Sequence, residues 1–287
     1  MVAAKLLDGT ALLETTKAQL ATRVASLGER GITPGLGTIL VGSDPNSHAY
    51  VRGKRAACEE IGMVSRHTEL PESVSPEDLH ATIADYNSDP AVDAFIVQLP
   101  LPSHLDEEAA LLAIEPDKDA DGLHPVNLGR LVMGVSAPRP CTPLGIQTLL
   151  ATNGVEIAGR HVVIVGRGLT IGRPLALLLT LKEPHANAAV TVVHTGVDDL
   201  GQYTRTADIL IAAAGRASII TPDMVRSGAA VVSAGITMDG RRLIPDVDEA
   251  VGEVAGWITP RLGGVGPTTI AMLLANAVAA AERKVNG

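Results

Sequence analysis

The stretch His161-Val-Val-Ile-Val165, which runs directly into Gly166-Arg-Gly-Leu-Thr-Ile-Gly172, decides the fold of this chain. It is typical of a buried strand that turns into a helix through glycines. Gly166 permits a tight turn, Gly168 lets backbone N–H groups approach a pyrophosphate, and Gly172 allows the helix to pack closely on the strand. The spacing Gly-x-Gly-x-x-x-Gly is one residue longer than the common fingerprint. Its place between a strand and a helix nevertheless predicts a dinucleotide-binding domain.

Apolar runs of strand length alternate with helical patterns on both sides of this loop. From His161 onward the runs are continuously hydrophobic, as expected for strands buried on both faces of a parallel sheet. Between the two series, the long stretch Pro116–Pro143 is expected to be irregular. We therefore predict an α/β fold. The other predicted strands are Leu36–Val41, Val64–Leu70, Val92–Leu99, Ala189–Val193, Ile209–Ala213 and Ala229–Ser233, and helices are predicted near Tyr50–Ile61, Pro76–Tyr86 and Pro267–Lys284.

Length and composition limit the classes of protein to which this chain can belong. Its 287 residues exceed the usual size of one domain, so two domains are expected. Aromatic residues make up only 2%, so the cores must be built from Ala, Val, Leu and Ile. The net charge of −9 argues against a nucleic-acid partner, because phosphate contacts need a basic surface. Two distant cysteines, Cys58 and Cys141, indicate a reducing, cytoplasmic location. Neither a signal peptide nor a membrane-spanning apolar run is expected.

The residues that follow Ala189–Val193 favour NADP over NAD. NAD-binding proteins usually carry Asp or Glu at this strand end, where the carboxylate bonds the ribose 2′-hydroxyl. This chain has His194-Thr195 instead, with no acid until Asp198. Arg167, inside the glycine loop, supplies a cation for a 2′-phosphate.

Tyr50 and Lys54 stand one helical turn apart, more than a hundred residues before the glycine loop. Residues at i and i+4 project from the same face of a helix, so a phenol and an ammonium could reach one ligand together. In a short-chain dehydrogenase such a pair follows the nucleotide loop inside one domain. Here it comes first, which predicts that the chemistry and the cofactor belong to different domains. A solvated pair on the surface is the alternative interpretation.

Two further segments have both a structural and a functional interpretation. Gln98-Leu-Pro-Leu-Pro102 follows an apolar run, so Gln98 could offer its amide beyond the carboxyl end of a strand. A turn that ends the strand accounts for the two prolines equally well. Gly263-Gly-Val-Gly-Pro-Thr-Thr269 fits either a flexible hinge or a wall of a site where backbone approaches a flat ligand.

The acidic residues do not predict a metal site. Asp117, Asp119 and Asp121 imitate the start of a calcium loop, but position 128 holds Leu128 where such a loop needs Glu. The eight histidines and two cysteines show no spacing typical of metal ligands.

Several ordered blocks of the sequence together resemble the bifunctional methylenetetrahydrofolate dehydrogenase–cyclohydrolase family. They span nearly the whole chain. The blocks are Gly42 to Lys54 with Ser47 and Tyr50, Gln98-Leu-Pro-Leu-Pro102, Asp117-Lys-Asp-Ala-Asp-Gly122, His124-Pro-Val-Asn-Leu-Gly-Arg130, Arg139-Pro-Cys-Thr-Pro143, Gly166-Arg-Gly168 with Ile171-Gly-Arg-Pro174, and Gly263-Gly-Val-Gly-Pro267.

The resemblance implies an NADP-dependent oxidation of methylenetetrahydrofolate to methenyltetrahydrofolate, followed by hydrolysis to 10-formyltetrahydrofolate. It implies two α/β domains with the active-site cleft between them, and a homodimer. We predict a substrate domain over residues 1–139 and 266–287, with a Rossmann-type doubly wound parallel sheet over residues 140–265. A dehydrogenase without cyclohydrolase activity and a non-catalytic NADP-binding regulatory protein are the alternatives.

The resemblance also assigns roles to single residues. Lys54 becomes the central catalytic group, Tyr50 the ring that stacks on the folate, Gln98 the partner of Lys54 and of the one-carbon centre, and Asp121 the anchor of the pterin. Ser47 borders the same pocket. Further substrate contacts are assigned to Gly263, Gly264 and Pro267, and cofactor contacts to Gly166, Arg167, Gly168, Gly172, Thr195 and Ile236.

Three positions depart from the family pattern. Arg261 stands in a turn that is usually flanked by prolines, Ser233 replaces an aspartate at a strand end, and Pro245 replaces a glycine. The family resemblance therefore implies that folate affinity and the nicotinamide side of the site could differ. None of the three removes a proposed catalytic residue.

Overall fold

The computed structural model describes residues 4–240 and 242–286, which divide into two compact units. We call residues 14–141 with 270–286 the Lys54 unit, and residues 4–13 with 142–269 the glycine-loop unit. The helices are α1 (Gly9–Gly28), α2 (Pro45–Glu60), α3 (Pro76–Ser88), α4 (Glu107–Leu112), α5 (Pro125–Met133), α6 (Cys141–Thr152), α7 (Gly172–Thr180), α8 (Gly201–Thr204) and α9 (Val265–Asn286). The strands are β1 (Lys5–Leu6), β2 (Gly35–Val41), β3 (Val64–Leu70), β4 (Ala94–Val97), β5 (His161–Val165), β6 (Ala189–Val193), β7 (Ile209–Ala212), β8 (Ala230–Ser233), β9 (Ile236–Asp239), β10 (Arg242–Pro245) and β11 (Trp257–Ile258).

The Lys54 unit is built on a parallel sheet in the order β3-β2-β4. Every residue of the central strand β2 is buried, which agrees with its continuous hydrophobic sequence. Tyr86 of α3 and Phe95 of β4 meet edge to face, with ring centroids 5.3 Å apart. Gly37 of β2 faces this pair, and a Cβ there would lie 2.6 Å from the Cβ of Phe95. The aromatic pair and the aliphatic residues around it form the core of this unit.

The glycine-loop unit contains a parallel sheet in the order β1-β11-β8-β7-β5-β6. Side chains of β5 alternate between two buried clusters: Val162 and Ile164 pack in one, Val163 and Val165 in the other. Strands with both faces covered are what a doubly wound fold requires, and the predicted α/β class is confirmed. A separate antiparallel hairpin joins β9 and β10.

The first residues of the described chain belong to the glycine-loop unit, whereas the predicted boundaries placed them in the substrate domain. Strand β1 pairs in parallel with β11, so that Lys5 lies opposite Trp257. The Lys5 amine is 5.4 Å from the centre of the Trp257 ring, and the buried side chains of Leu7 and Leu12 join the same core. These contacts explain why the first described residues belong to the glycine-loop unit and not to the Lys54 unit. The functional assignment of the two domains stays a prediction.

The stretch Pro116–Pro143 is not irregular throughout, so that prediction was wrong. It contains α5 and the first turn of α6. The cap of α5 is His124, whose ring nitrogen accepts a hydrogen bond from Val126 N at 3.1 Å, and the helix ends at Gly134 with φ of 66°. Histidine is not among the usual capping residues, and nine residues are too few to reveal a helical period.

Helix α9 is long and apolar enough to cross a membrane by length and composition alone. Of its most apolar 18-residue window, which lies within Val265–Lys284, 56% is buried within the protein, as is usual for a core helix. The expectation that the chain has no apolar run of membrane-spanning length therefore does not hold for α9 by length and composition.

Candidate active site

Helix α2 presents Tyr50 and Lys54 one turn apart. The helix begins at Pro45 after the cap Asp44, whose carboxylate accepts a hydrogen bond from Ser47 N at 2.8 Å. Tyr50 is 45% exposed, whereas Lys54 is only 8% exposed. The interpretation as a solvated surface pair therefore fails for the lysine. Ser47 is buried in the first turn of the same helix.

The amine of Lys54 donates a hydrogen bond to Gln98 Oε1 at 2.9 Å. Gln98 follows β4, where its backbone N–H donates to Ile39 O at 2.8 Å. The side-chain NH₂ of Gln98 donates to Leu99 O at 2.7 Å, which turns the amide oxygen toward Lys54. Gln98 is therefore both the end of a strand and a fixed acceptor for the lysine.

Asp121 supplies the acid of this site. Burial lowers the pKa of Lys54, and the neighbouring Asp121 carboxylate opposes that shift. Burial likewise raises the pKa of Asp121, and the Lys54 charge opposes it. Lys54, Gln98 and Asp121 are thus brought together, with an amine and a carboxyl whose charged forms depend on each other.

Cys141 belongs to the same cluster, although the sequence indicated only that it is reduced. The residue is 1% exposed, and its thiol lies 3.2 Å from Ala120 O and hydrogen-bonds to the carboxyl of Asp121. Burial raises the pKa of the Cys141 thiol well above its ordinary value, so the group stays protonated at neutral pH. The block Arg139-Pro-Cys-Thr-Pro143 was the available signal for this role.

Asp119 shapes the loop that carries Asp121. Its carboxylate accepts hydrogen bonds from Gly122 N at 3.0 Å and His124 N at 2.8 Å, and from the Asn127 amide at 3.0 Å. Asp117 instead pairs with Arg130 at 2.8 Å near the surface. The three acids therefore have separate partners. Within residues 4–240 and 242–286, no group of three or more His, Cys, Asp or Glu is placed to hold a metal ion.

The glycines Gly263 and Gly264 lie in the glycine-loop unit and pack against the start of α1. Gly263 has φ of 78°, and its carbonyl accepts hydrogen bonds from the N–H groups of Gly9 at 2.8 Å and Thr10 at 3.1 Å. A Cβ on Gly9 would lie 2.8 Å from the carbonyl carbon of Gly264, so the two backbones need glycine to approach this closely. Pro267 follows in the first turn of α9. The folate contacts of these three residues stay a prediction.

The glycine loop has the geometry of a phosphate cradle. Gly166 has φ of 137°, and a Cβ there would lie 2.6 Å from the carbonyl carbon of Ala213. A Cβ on Gly172 would lie 2.7 Å from the carbonyl carbon of Gly166, so the start of α7 lies against the turn. Gly168 faces open space, and Arg167 beside it is exposed. The backbone between β5 and α7 is thus accessible to an anionic ligand.

Thr195 and Ile236 complete the predicted cofactor contacts. Thr195 is exposed just after β6, which pairs with β5, and Ile236 begins β9 with 45% of its surface exposed. Both residues are therefore open to solvent in the same unit as the glycine loop, and their contact with a cofactor stays a prediction.

Asp246 organises the loop that follows β7, a role that sequence reasoning missed. Its carboxylate accepts hydrogen bonds from three consecutive backbone groups: Ala214 N at 2.7 Å, Gly215 N at 2.9 Å and Arg216 N at 2.8 Å. Burial raises the pKa of Asp246, and these three hydrogen bonds oppose the shift. Ala213, at the start of this loop, is the residue that crowds Gly166. Asp246 thereby fixes one wall of the phosphate cradle.

Two family models together match most of the chain. The model for the catalytic domain of tetrahydrofolate dehydrogenase/cyclohydrolase matches residues 7–121, and the model for its NAD(P)-binding domain matches residues 140–285. The chain belongs to this family.

Individual relatives of the tetrahydrofolate dehydrogenase/cyclohydrolase family align over nearly their whole length. The bifunctional protein FolD of Syntrophotalea carbinolica is 58% identical over 99% of this chain and 98% of that protein. The crystal structure of the Campylobacter jejuni bifunctional FolD has a TM-score of 0.93 at 42% identity, covering 98% of this chain and all of that one. The Trypanosoma brucei FolD, solved with NADP and an inhibitor, has a TM-score of 0.94 at 39% identity, with full coverage of both chains.

The three departures from the family pattern are accommodated within the glycine-loop unit. Pro245 ends β10 opposite Ile236, so the stiff residue continues a strand rather than a turn. Ser233 N donates to Thr259 Oγ1 at 2.8 Å, and Ser233 Oγ accepts from Val247 N at 3.3 Å. Arg261 pairs with Glu249 at 3.5 Å. Each of the three replacements is therefore accommodated by a strand pairing, hydrogen bonds or an ion pair within this unit.

Proposed function

We propose that this chain oxidises 5,10-methylenetetrahydrofolate to 5,10-methenyltetrahydrofolate with NADP and hydrolyses the product to 10-formyltetrahydrofolate. The observation that carries this function is the buried Lys54 amine, 2.9 Å from Gln98 and electrostatically coupled to Asp121, in a chain that matches both domains of the bifunctional family. The Syntrophotalea relative, at 58% identity, is named as bifunctional, which supports this function over either alternative.

NADP fits the glycine-loop unit on physical grounds. The turn at Gly166 is too crowded for any side chain, whereas Gly168 leaves the backbone N–H groups open to a pyrophosphate. The exposed guanidinium of Arg167 is available for the 2′-phosphate, and Thr195 and Ile236 belong to the same unit. When bound, NADP supplies the acceptor of the hydride that leaves the methylene carbon.

The Lys54 unit supplies the groups that act on the folate. Tyr50 offers an exposed ring for stacking, and the half-buried Asp121 offers its carboxyl to the polar edge of the pterin. Both lie with Lys54 in one unit, so the folate can be oriented before either reaction begins.

Lys54 provides the proton acceptor for hydrolysis. A water oxygen attacks the methenyl carbon, and its proton passes to the neutral amine of Lys54 as the new C–O bond forms. The hydroxyl of this adduct then loses its proton as the carbonyl forms and the C–N5 bond breaks. N5 takes up one proton, the formyl group remains on N10, and one proton is released to solvent overall. Burial favours the neutral amine, and Gln98 as an uncharged partner leaves that shift in place.

Measuring both activities in one preparation tests the proposed function. Methenyltetrahydrofolate absorbance is expected to rise after methylenetetrahydrofolate and NADP are added, and then to decay as the formyl product forms. A rise without enzymatic decay would support the dehydrogenase-only alternative. No change in absorbance, together with NADP-dependent protection from unfolding, would support the non-catalytic alternative.

Gln98→Glu is expected to move the rising limb of the cyclohydrolase pH profile to higher pH. The neutral amine is populated above the Lys54 pKa, and a carboxylate in place of an amide 2.9 Å away raises that pKa. Below it, the reactive fraction falls about tenfold for each unit by which the pKa rises. Gln98→Met, which removes the acceptor without adding charge, is the control and should not move the limb upward. A Gln98→Glu protein with the parent pH profile would contradict the role of Gln98.

We further propose a cytoplasmic homodimer that contributes 10-formyltetrahydrofolate to purine biosynthesis and has no nucleic-acid or membrane partner. The net charge of −9 and the two free, buried cysteines support the cellular environment. The dimer rests on the family resemblance. A solution mass equal to one chain in light scattering would overturn it.

A further inference from the structure

Asn276 of α9 joins two backbone segments of the Lys54 unit through one side-chain amide. Its NH₂ group lies 2.9 Å from Ala120 O and 2.9 Å from Arg139 O, and 3.4 Å from Cys141 Sγ. One of these carbonyls immediately precedes Asp121, and the other belongs to the segment that leads into Cys141. A single amide therefore uses both of its hydrogens to hold the two chain segments that flank Asp121.

The two segments are in close contact around Asp121. Cys141 N donates to Asp121 O at 3.0 Å, and a Cβ on Gly122 would lie 2.6 Å from Pro140 N. The far side of the loop is fixed by Asp119, which accepts hydrogen bonds from Gly122 N and His124 N. Asn276 holds the loop through Ala120 O and Arg139 O, so a small movement of its amide would shift the Asp121 backbone.

We infer that Asn276 is a positioning residue that sets the place of the Asp121 carboxyl relative to Lys54. The inference rests on the proposed function, in which Asp121 anchors the folate and Lys54 accepts the proton of water. If the amide is lost, two partly buried carbonyl oxygens lose a donor, with only the Cys141 thiol still donating to Ala120 O, and the loop can relax away from the lysine. Asp121 then holds the pterin less well, and its negative charge raises the pKa of Lys54 less strongly.

Asn276→Leu is expected to raise the KM for methylenetetrahydrofolate about tenfold, with a smaller change in kcat. The rising limb of the cyclohydrolase pH profile should move to lower pH, since a weaker interaction with Asp121 lowers the Lys54 pKa further. This is the opposite direction from Gln98→Glu. Asn276→Ser, whose hydroxyl can restore one donor, should give an intermediate KM and also serves if the leucine variant fails to fold.

Asn87→Leu is the matched control within the same unit. The Asn87 amide donates to Ala113 O at 2.8 Å and its oxygen accepts from Glu115 N at 2.9 Å, so its loss also breaks two hydrogen bonds of a partly buried amide. It should lower the unfolding midpoint without changing the folate KM or the pH limb. The rise in unfolding midpoint that NADP produces should match that of the parent in both Asn276→Leu and Asn87→Leu.

Calorimetry with tetrahydrofolate, which lacks the one-carbon bridge, separates this inference from the proposed function. Weaker tetrahydrofolate binding by Asn276→Leu, but not by Asn87→Leu, would support the positioning role even in a parent protein without turnover. The inference would be overturned if Asn276→Leu bound tetrahydrofolate as the parent does and kept the rising limb of the cyclohydrolase pH profile at the parent pH. It would also be overturned if Asn87→Leu lost as much tetrahydrofolate affinity as Asn276→Leu.

Discussion

Lys54→Met is expected to abolish cyclohydrolase activity while leaving part of the dehydrogenase activity. Methionine keeps much of the apolar stem but removes the amine that donates to Gln98. Hydride transfer depends mainly on the alignment of two rings, to which Tyr50 and the glycine loop still contribute. Water attack also needs a proton acceptor and support for the tetrahedral adduct, each typically worth about a hundredfold or more. Both rates should be measured in one preparation, with NADP protection as the test of an intact nucleotide site.

Lys54→Arg separates the proton acceptor from the positive charge. Arginine keeps a cation at this position but does not release its proton near neutral pH. We therefore expect it to lose hydrolysis as fully as the methionine variant. A Lys54→Met protein that hydrolyses methenyltetrahydrofolate at the parent rate, above the uncatalysed background, would remove Lys54 from the mechanism. Hydrolysis retained only by Lys54→Arg would show that charge, and not proton transfer, is what the residue supplies.

Gly166→Ala is expected to remove measurable NADP binding and to lower the free energy of unfolding. The new Cβ would lie 2.6 Å from the carbonyl carbon of Ala213, at a backbone φ of 137° that L side chains rarely adopt. Ala213 cannot easily move aside, since Asp246 fixes the three N–H groups that follow it. Strain and overpacking of this kind typically cost about 1–3 kcal/mol each. Chemical denaturation with and without NADP measures both effects.

Gly168→Ala is the matched control for that experiment. Its Cβ would meet no atom within 4 Å, so the unfolding midpoint without NADP should equal that of the parent. Any loss of NADP protection in this variant would report the approach of the pyrophosphate to the backbone rather than strain in the turn. Equal midpoints for the parent and Gly166→Ala would contradict the crowding at Gly166.

Buried parallel strands were predictable from sequence because a continuously hydrophobic run of five to seven residues, bounded by turn residues, is typical of such strands. The predicted bounds of β5 and β6 agree with the structure, and β2 begins one residue earlier than expected. The predicted bounds of β3 also agree, although this strand is largely polar and only partly buried. Strand β1 was missed since two residues carry no pattern, and their pairing with β11 depends on the distant end of the chain. Helix α5 was missed because its cap is a histidine.

The candidate site was predictable only where the family resemblance supplied its parts. Gln98 and Lys54 are 44 residues apart, and nothing local to either residue indicates their hydrogen bond. Apart from its place in the family block Arg139–Pro143, Cys141 shows only as one of two distant cysteines, because its burial beside Asp121 is a tertiary property. Asn276 lies 156 residues from Ala120, and a single amide in an apolar helix has no sequence signature. Long-range polar contacts of this kind are set by the fold as a whole.

The pairing of β1 with β11 also gives the protein an internal optical reporter. Trp257, the only tryptophan of the chain, lies in β11, so indole emission follows the glycine-loop unit and not the Lys54 unit. Far-ultraviolet ellipticity follows the helices and strands of both. Denaturation curves that coincide by the two signals would mean that the units unfold together, whereas an indole transition displaced from the ellipticity transition would reveal two separable cooperative steps.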